Sequence, residues 1–566
     1  MGAKYAIMRQ IFAKESLMSP FIKNILNHKN TLLYALIALL LFVLIVRLIS
    51  FNLYPLMSTT EARYAEMSRK MLELNEWIVL YYYDYNTPFW GKPPLSFWAS
   101  AVTMWLFGVN EFGARFAPFI FGLLCCALFF VWIFRRNDGE SWALRPIACA
   151  LILSTTGLGF VAMGAVMTDE ALLFCVMLCM ISFWRCVVVG DSSLQGKAEA
   201  SVRSTDPHLQ IYESTANIKK SRTLFGYLFF VGLGLGLLAK GPLIFVLVGL
   251  PIVAFIIVLR FFAPHAKILS LKNLPFFSGT ILMLLIALPW YIAFEIKSDG
   301  FLEYFIIGEH FKRFFISGWE GSMYGAAHSQ PIGTIWWFFF ISFLPWSIVF
   351  LGFVAKKIYE FFRIRKDFRA QDLALDSARI AILKTPANIE NIYLALWILM
   401  PLCFLTFSRN ILEAYTLPCA PAFCILMANF IFGAGVNFRR GIWLLPLSLM
   451  LIVCVFLASG KLDSLVDSRH QKDIFTRWDG QGRLIFLDSK PSFSGYFYAH
   501  KSGKKPFKDE FLSLKSPKVE AILSATDSHQ KICIAMKERD YLKNKERFGN
   551  FSPIVAKKEW ILLKNY

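Results

Sequence analysis

Runs of about 20 apolar residues recur along most of this chain, separated by short charged loops, and that pattern restricts it to a polytopic helical membrane protein. The runs fall at about Leu32–Leu53, Phe112–Phe134, Ile147–Met167, Ala171–Val189, Thr223–Ala239, Leu243–Leu259, Phe276–Phe294 and Ile332–Val354. Two more flank Ser408-Arg409-Asn410, and a last one spans Gly441–Leu457. The expectation is therefore about 11–13 transmembrane helices. With 56% of its 566 residues hydrophobic and only 17% charged, the chain cannot be a soluble globular protein. Leu95–Phe107 is apolar but too short to cross, so a re-entrant or surface helix is expected there.

The loops carry their charge asymmetrically. Lys4, Arg9, Lys14, Lys23 and Lys29 precede the first run, and Arg135, Arg136, Arg145, Arg439 and Arg440 fall in loops of the same side. Basic loops stay in the cytoplasm, which places the N-terminus inside and the C-terminus outside. Orientation and anionic lipid headgroups account for the net charge of +20, so membrane lipids rather than nucleic acid are the expected partner of the basic residues. Ten of the eleven cysteines lie in or beside apolar segments, Cys533 alone lying in the polar tail, with no metal-ligand spacing among them. Residues 1–459 are read as the membrane domain, with outer segments at 54–111 and 295–331. Residues 460–566 are read as a soluble α/β domain with strands at Arg483–Leu487, Gly495–Tyr498, Ile532–Met536 and Trp560–Leu563.

Chemistry concentrates after the first run. Ser58-Thr59-Thr60-Glu61 has the spacing of a capped helix start. Met67, Met71 and Leu74 then recur on one side, with Arg63, Glu66, Lys70 and Glu73 on the other, which predicts an amphipathic helix along the membrane surface. Glu66 and Lys70 have the spacing of a surface pair. Arg63 near a helix N-terminus and Lys92 on the rigid Lys92-Pro93-Pro94 turn supply two cationic points suited to a phosphate. Further polar groups share this outer side: Glu61, Tyr64, Asp169, Glu170, Lys240, Glu309, His310, Lys312, Arg313, His328 and Arg409. They sit at span ends, where they can converge on one cavity. The Glu309-His310 pair is the best candidate for a metal site.

Read together, TEARYAEMSRKML, WGKPPLSFW, FGVNEFGARFAP, MTDEALLF, AKGP, GEHFKRF and SRNILEAYTLP resemble the bacterial lipid A aminoarabinose transferase family. That family belongs to the polyprenyl-phosphate-dependent GT-C glycosyltransferases, with protein O-mannosyltransferases as more distant relatives. The resemblance implies a multi-pass enzyme of the bacterial inner membrane that works as a monomer with a periplasm-facing site. It implies inverting transfer of aminoarabinose, or another amino sugar or hexose, from undecaprenyl phosphate to lipid A or another glycolipid acceptor. Arg63, Lys92, Lys240 and Arg313 would bind the donor phosphate, Tyr64 and Arg409 would line the substrate pocket, and Glu61 and Asp169 are the candidate catalytic acid–base groups. His310 and Glu309 would hold a divalent metal ion, and no organic cofactor is expected.

Two positions depart from the family pattern: Thr60 replaces an aspartate and Gly91 a glutamate before KPP. Both departures bear on the base and on the metal. An acceptor that is already anionic needs no base, which favours a lipid A phosphate or core sugar. A protein O-mannosyltransferase-like enzyme is the alternative within the class, and a polytopic lipid or solute transporter the alternative outside it. Transport predicts polar groups near the bilayer midplane and repeated halves. Here the charges gather at one surface and no repeat occurs.

Overall fold

The computed structural model describes residues 31–58, 60–82, 87–133, 142–188, 207–262, 269–313, 316, 319, 321, 323–324, 328–370, 386–434, 436–459, 470–472, 478, 483–488, 493–501, 511–524, 531–557 and 559–566. Lys4 to Lys29, the Arg135-Arg136 pair and Thr59 lie outside them.

The chain is a multi-pass membrane protein. Among the described residues nine helices are long and apolar enough to cross: Thr31–Ser50, Glu111–Ile133, Asp169–Val187, Lys220–Lys240, Leu243–Phe261, Phe276–Lys297, Asn388–Thr406, Glu413–Gly433 and Val436–Ala458. Asp169–Val187 runs through the centre, with 83% of its apolar window buried, whereas Val436–Ala458 is peripheral at 17%. Tyr393 anchors the packing around the central helix, ringed by Trp132, Phe183, Trp184, Phe255 and Trp397, with its hydroxyl donating to the Met180 carbonyl at 2.8 Å. Leu95–Phe107 is a 13-residue helix, short as its sequence predicts.

The two remaining expected spans are broken. The run read as Ile147–Met167 forms Leu144–Thr155 and then Gly157–Ala162, parted at an extended Thr156 whose hydroxyl caps Gly159 N at 3.1 Å. The run read as Ile332–Val354 forms Thr334–Ser342 and Trp346–Lys356, bent by 111°. Unpaired backbone groups are costly at membrane depth, and the two breaks satisfy each other. Gly157 N donates to Leu344 O at 2.8 Å, and Trp346 Nε1 donates to Thr155 Oγ1 at 2.9 Å.

After the last apolar helix the chain builds a five-stranded sheet of β1 (Arg483–Leu487), β2 (Phe511–Leu512), β3 (Ile532–Lys537), β4 (Ser552–Lys557) and β5 (Trp560–Lys564), in the order β2-β1-β3-β5-β4. β1 pairs in parallel with β2 and β3, while β5 runs antiparallel to β3 and β4. Residues 495–498, read as a strand, belong instead to the helix Phe493–Lys501. Phe493 and Phe497, four residues apart, place both rings on one helical face.

The sheet alternates with period two. Ile485, Leu487, Ile532, Ile534, Met536, Ile561 and Leu563 face one side and form a core with the Glu538–Lys543 helix. Leu484, Phe486, Cys533, Ala535, Trp560 and Leu562 face the other, sharing a core with Phe493, Phe497, Leu56, Ala62, Ala65, Met67 and Met71. The tail and the segment after the first span are therefore packed as one unit.

That packing corrects the expectation of a surface helix. Thr60–Leu74 is buried on its charged side as well, and Lys70 is 1% exposed, with Nζ donating to Tyr82 O at 3.1 Å. Glu66 and Lys70 are not a surface pair. Glu66 is buried, accepts two bonds from Arg69 at 2.7 and 2.9 Å, and lies 3.8 Å from Lys70 Nζ. Periodicity marks a polar face, but it cannot show that a domain some 400 residues later will cover it.

Candidate active site

A cavity of about 260 Å³ opens where the Thr60–Leu74 helix, the start of the central helix, the Lys240 turn and the Tyr304–Lys312 π-helix meet. Arg63, Lys92, Asp169, Lys240, Glu309, His310 and Arg313 line it, together with Thr60, Tyr64, Gly91, Tyr324, His328, Ser408 and Asn410. Leu172, Leu243, Leu247, Leu405, Leu412 and Pro418 supply an apolar wall. The polar and apolar parts together suit a ligand with a charged head and a hydrocarbon tail.

Helical geometry starts at Thr60, and Glu61 Oε2 accepts from Met57 N at 3.0 Å, satisfying a donor at the helix entrance. Arg115, inside the Glu111–Ile133 helix and fully buried, donates to Glu61 Oε1 at 2.8 Å and Oε2 at 3.0 Å. It also donates to the carbonyls of Phe51, Tyr54 and Pro55 at 2.5, 2.8 and 2.9 Å. All five guanidinium N–H groups are thus used. Glu61 is consequently not a free base: both oxygens are engaged and it does not line the cavity. It is part of the frame that sets the helix entrance.

Two residues further, Arg63 reaches the cavity. Its Nη1 donates to Tyr324 O at 3.2 Å and the guanidinium lies 5.0 Å from the Tyr64 ring centre, while Nε is buried with no hydrogen-bond partner. Lys92, held on its Pro-Pro turn ahead of the Leu95–Phe107 helix, lies 3.2 Å from Glu309 Oε1. Arg313 Nη1 meets the same oxygen at 2.5 Å. Burial pushes the Glu309 carboxyl up, but Lys92 and Arg313 outweigh it and hold the group below the usual carboxylate range. Glu309 Oε2 and Arg313 Nε remain buried without hydrogen-bond partners.

Asp169 and Lys240 form a buried ion pair of 2.5 Å, and Lys240 Nζ lies 4.7 Å from the Tyr415 ring centre. Asp169 opens its helix, where the macrodipole favours a negative charge. The Lys240-Gly241-Pro242 turn needs its glycine, because Gly241 has φ +74° and an added Cβ would meet the Phe305 ring at 2.7 Å. The same turn receives His310, whose Nε2 lies 3.1 Å from Lys240 O while Nδ1 lies 2.7 Å from Phe305 O.

These contacts bear on the expected metal site. Both His310 nitrogens face carbonyl oxygens, Glu309 is matched by two cations, and among the described residues no group of three His, Cys, Asp or Glu side chains can hold a metal ion. The residues present do not fit a divalent ion. Burial holds the His310 imidazole below its ordinary value, against the two carbonyls that favour its charged form.

Arg409 is a second correction. It is exposed and does not line the cavity, which instead meets its neighbours Ser408 and Asn410. Its carbonyl accepts from Gln330 N at 2.8 Å and Asn410 Oδ1 accepts from His328 N at 3.0 Å, so this turn ties the 328–330 loop in place. Tyr64 does line the cavity, as do Arg63, Lys92, Asp169, Lys240, Glu309, His310 and Arg313. Sequence reasoning missed Arg115, Tyr324 and Tyr415. Arg115 had a signal, a lone arginine within an apolar run. Tyr324 had none, though its hydroxyl joins Pro88 O and Trp90 N at 2.9 and 3.0 Å.

Comparison with known proteins bears on the fold. The chain matches the dolichyl-phosphate-mannose-protein mannosyltransferase family over residues 31–305. It is 26% identical over 403 residues to an undecaprenyl phosphate-alpha-4-amino-4-deoxy-L-arabinose arabinosyl transferase of Wigglesworthia glossinidia brevipalpis, covering 71% of this chain and 59% of that protein. It is 27% identical over 410 residues to the protein of the same name from Yersinia pestis (strain Pestoides F), covering 71% and 60%. The crystal structure of ArnT from Cupriavidus metallidurans bound to undecaprenyl phosphate superposes with a TM-score of 0.67 at 17% identity, covering 95% of this chain and 98% of that one. The chain shares the fold of that ArnT structure. It spans about three fifths of the length of these sequence relatives, matching 59% and 60% of them. That shared fold includes the polytopic bundle and the small sheet domain after the last span.

Proposed function

We propose that this protein is an inverting glycosyltransferase of the bacterial inner membrane, moving a sugar from undecaprenyl phosphate to lipid A or a related periplasm-facing acceptor. The observation that carries the reading is the joining, in one cavity, of Arg63, Lys92, Lys240 and Arg313 to an apolar wall. A phosphate headgroup meets the cations while the polyprenyl chain follows the leucines toward the bilayer. In this reading the N-terminus lies in the cytoplasm and the sheet domain in the periplasm, an orientation that the distribution of basic loops supports.

In the reaction an acceptor oxygen forms a bond to the anomeric carbon from the face opposite the phosphate. The carbon–oxygen bond to phosphate breaks, and its electron pair stays on the phosphate. Arg63, Lys92 and Arg313 stabilise the charge that develops there, and the Asp169–Lys240 pair fixes Lys240 beside them. Among the described residues each carboxylate that lines the cavity is ion-paired, Asp169 with Lys240 and Glu309 with Lys92 and Arg313, and Glu61 behind it is committed to Arg115. An acceptor phosphate fits, because it attacks without losing a proton. The sugar is aminoarabinose, another amino sugar or a hexose. The match to the mannosyltransferase family favours one second reading, transfer to a protein hydroxyl.

Lipid A mass in cells with and without the gene tests the proposal. A sugar-sized loss restored by the parent gene, and not by Lys92→Ala or Arg63→Ala, is expected. Lipid A unchanged in mass, with a glycan missing from a protein instead, selects the second reading.

A further inference from the structure

The charges lining the cavity do not balance. Among the described residues four cations line it, Arg63, Lys92, Lys240 and Arg313, against two carboxylates, Asp169 and Glu309. Asp169 is matched one to one by Lys240, whereas Glu309 alone answers both Lys92 and Arg313. Arg63 faces a carbonyl and a ring, not a carboxylate. Thr60 and Gly91 line the same wall and bring no charge. Behind the lining, Glu61 is cancelled by Arg115. The cavity therefore carries a surplus of two positive charges. A second observation points the same way: the Nε donors of Arg63 and Arg313 are buried and lack partners.

From this surplus, and building on the function proposed above, we infer that the cavity is matched to a phosphate carrying two negative charges, the polyprenyl phosphate monoester left after transfer, rather than to the phosphodiester donor. A diester carries one charge and leaves one cation unanswered. When the carbon–oxygen bond breaks, the phosphate gains the electron pair and the second charge, so its attraction to the cavity grows along the reaction. Binding that strengthens toward the transition state accelerates the step. It also makes the spent carrier a tight product that competes with fresh donor, and turnover then waits on its release.

The test uses the purified full chain in lipid nanodiscs and two probes: undecaprenyl phosphate, and its methyl ester, which holds one negative charge at every pH used. At about pH 7.5 the monoester is expected to bind about tenfold tighter, the order expected of one added charge at close range. Below about pH 6, where a phosphate monoester dianion takes up one proton and keeps a single negative charge, the preference shrinks toward unity. His310, His328, Asp169 and Glu309 also line the cavity; a positive charge gained there would favour the dianion over the monoanion, so it opposes the expected shrinkage and cannot mimic it. Thr60→Asp removes one surplus charge and should lower the preference severalfold. Equal affinities at pH 7.5, a preference that does not shrink at low pH, or one unmoved by Thr60→Asp overturns the inference and leaves the transferase reading standing. If neither probe binds, the polyprenyl-phosphate reading itself falls.

Discussion

The polar groups that frame the cavity and those that face into it are satisfied to different degrees. In the frame, Arg115 uses every donor on Glu61 and three carbonyls, and Glu61 uses both oxygens. On the lining, Arg63 Nε, Arg313 Nε and Glu309 Oε2 are buried without partners. Buried polar groups are almost always paired, so the exceptions mark where something else completes the set. The frame's groups are all answered; on the lining the two arginine Nε donors suit an anion's oxygens, while Glu309 Oε2 awaits a donor. The contrast separates residues that act through structure from residues that act on substrate, although both kinds are charged and some lie two positions apart.

The largest effect should come from breaking the frame. Arg115→Ala leaves the Glu61 carboxylate buried without its counter-charge, a change that costs about 3–5 kcal/mol. The detergent-solubilised variant should unfold at markedly lower temperature and bind undecaprenyl phosphate poorly, with Arg115→Lys restoring little because a lysine cannot supply the planar fork. An Arg115→Ala protein as stable as the parent would end the distinction drawn here.

Asp169→Asn addresses the lining and is expected to act less severely. An amide still accepts from Lys240, so the fold should persist. If Asp169 only holds Lys240, transfer to a phosphate acceptor should fall by no more than about tenfold, whereas loss of a general base costs about 10²–10⁴-fold. Steady-state transfer rates decide between the two.

Glu309→Gln sharpens the same contrast from the other side. Removing the carboxylate between Lys92 and Arg313 should weaken the empty protein by about 1–3 kcal/mol, while undecaprenyl phosphate binds severalfold tighter to the two freed cations. The sign of the pH effect follows from the lowered value of Glu309. The pair stabilises the fold fully above the ordinary carboxylate value of about 4.3 and is lost as pH falls through the lower value in the folded protein. Thermal midpoints of parent and Gln variant should therefore converge only in acid below that range.

The sequence displayed these features unequally. The lining cations were legible, because positive-inside counting places Arg63, Lys92, Lys240 and Arg313 on one side of the membrane and few cations have reason to be there. The frame was not. Glu61 stands beside Arg63 in one motif, and nothing local shows that Arg115, more than fifty residues on, occupies both its oxygens. The same limit hid the two helix breaks, whose cause is mutual: Gly157 and Leu344 satisfy each other across the bundle. In the tail, β1, β3 and β5 declared themselves as short unbroken apolar runs, whereas β4 begins at a proline-bearing edge and β2 has two residues. The Tyr-Phe-Tyr run at 496–498 suits a strand by propensity, and packing against Thr60–Leu74 made it helical.

The smallest expected effect reaches the frame from its outermost member. Tyr498 of the tail accepts from Leu56 N at 2.7 Å and donates to Glu111 Oε1 at 3.1 Å. Leu56 follows Pro55, whose carbonyl Arg115 holds, so the tail touches the brace one residue from Arg115's own contact. Tyr498→Phe keeps the ring in its core and removes only the hydroxyl, orphaning one amide, while Lys472 still answers Glu111 at 2.7 Å. Stability should fall by about 1 kcal/mol. If the tail steadies the helix entrance, undecaprenyl phosphate affinity should fall with it, by a few-fold. Stability that falls while affinity is unchanged would confine the tail to packing and leave Arg115 as the sole setter of Arg63.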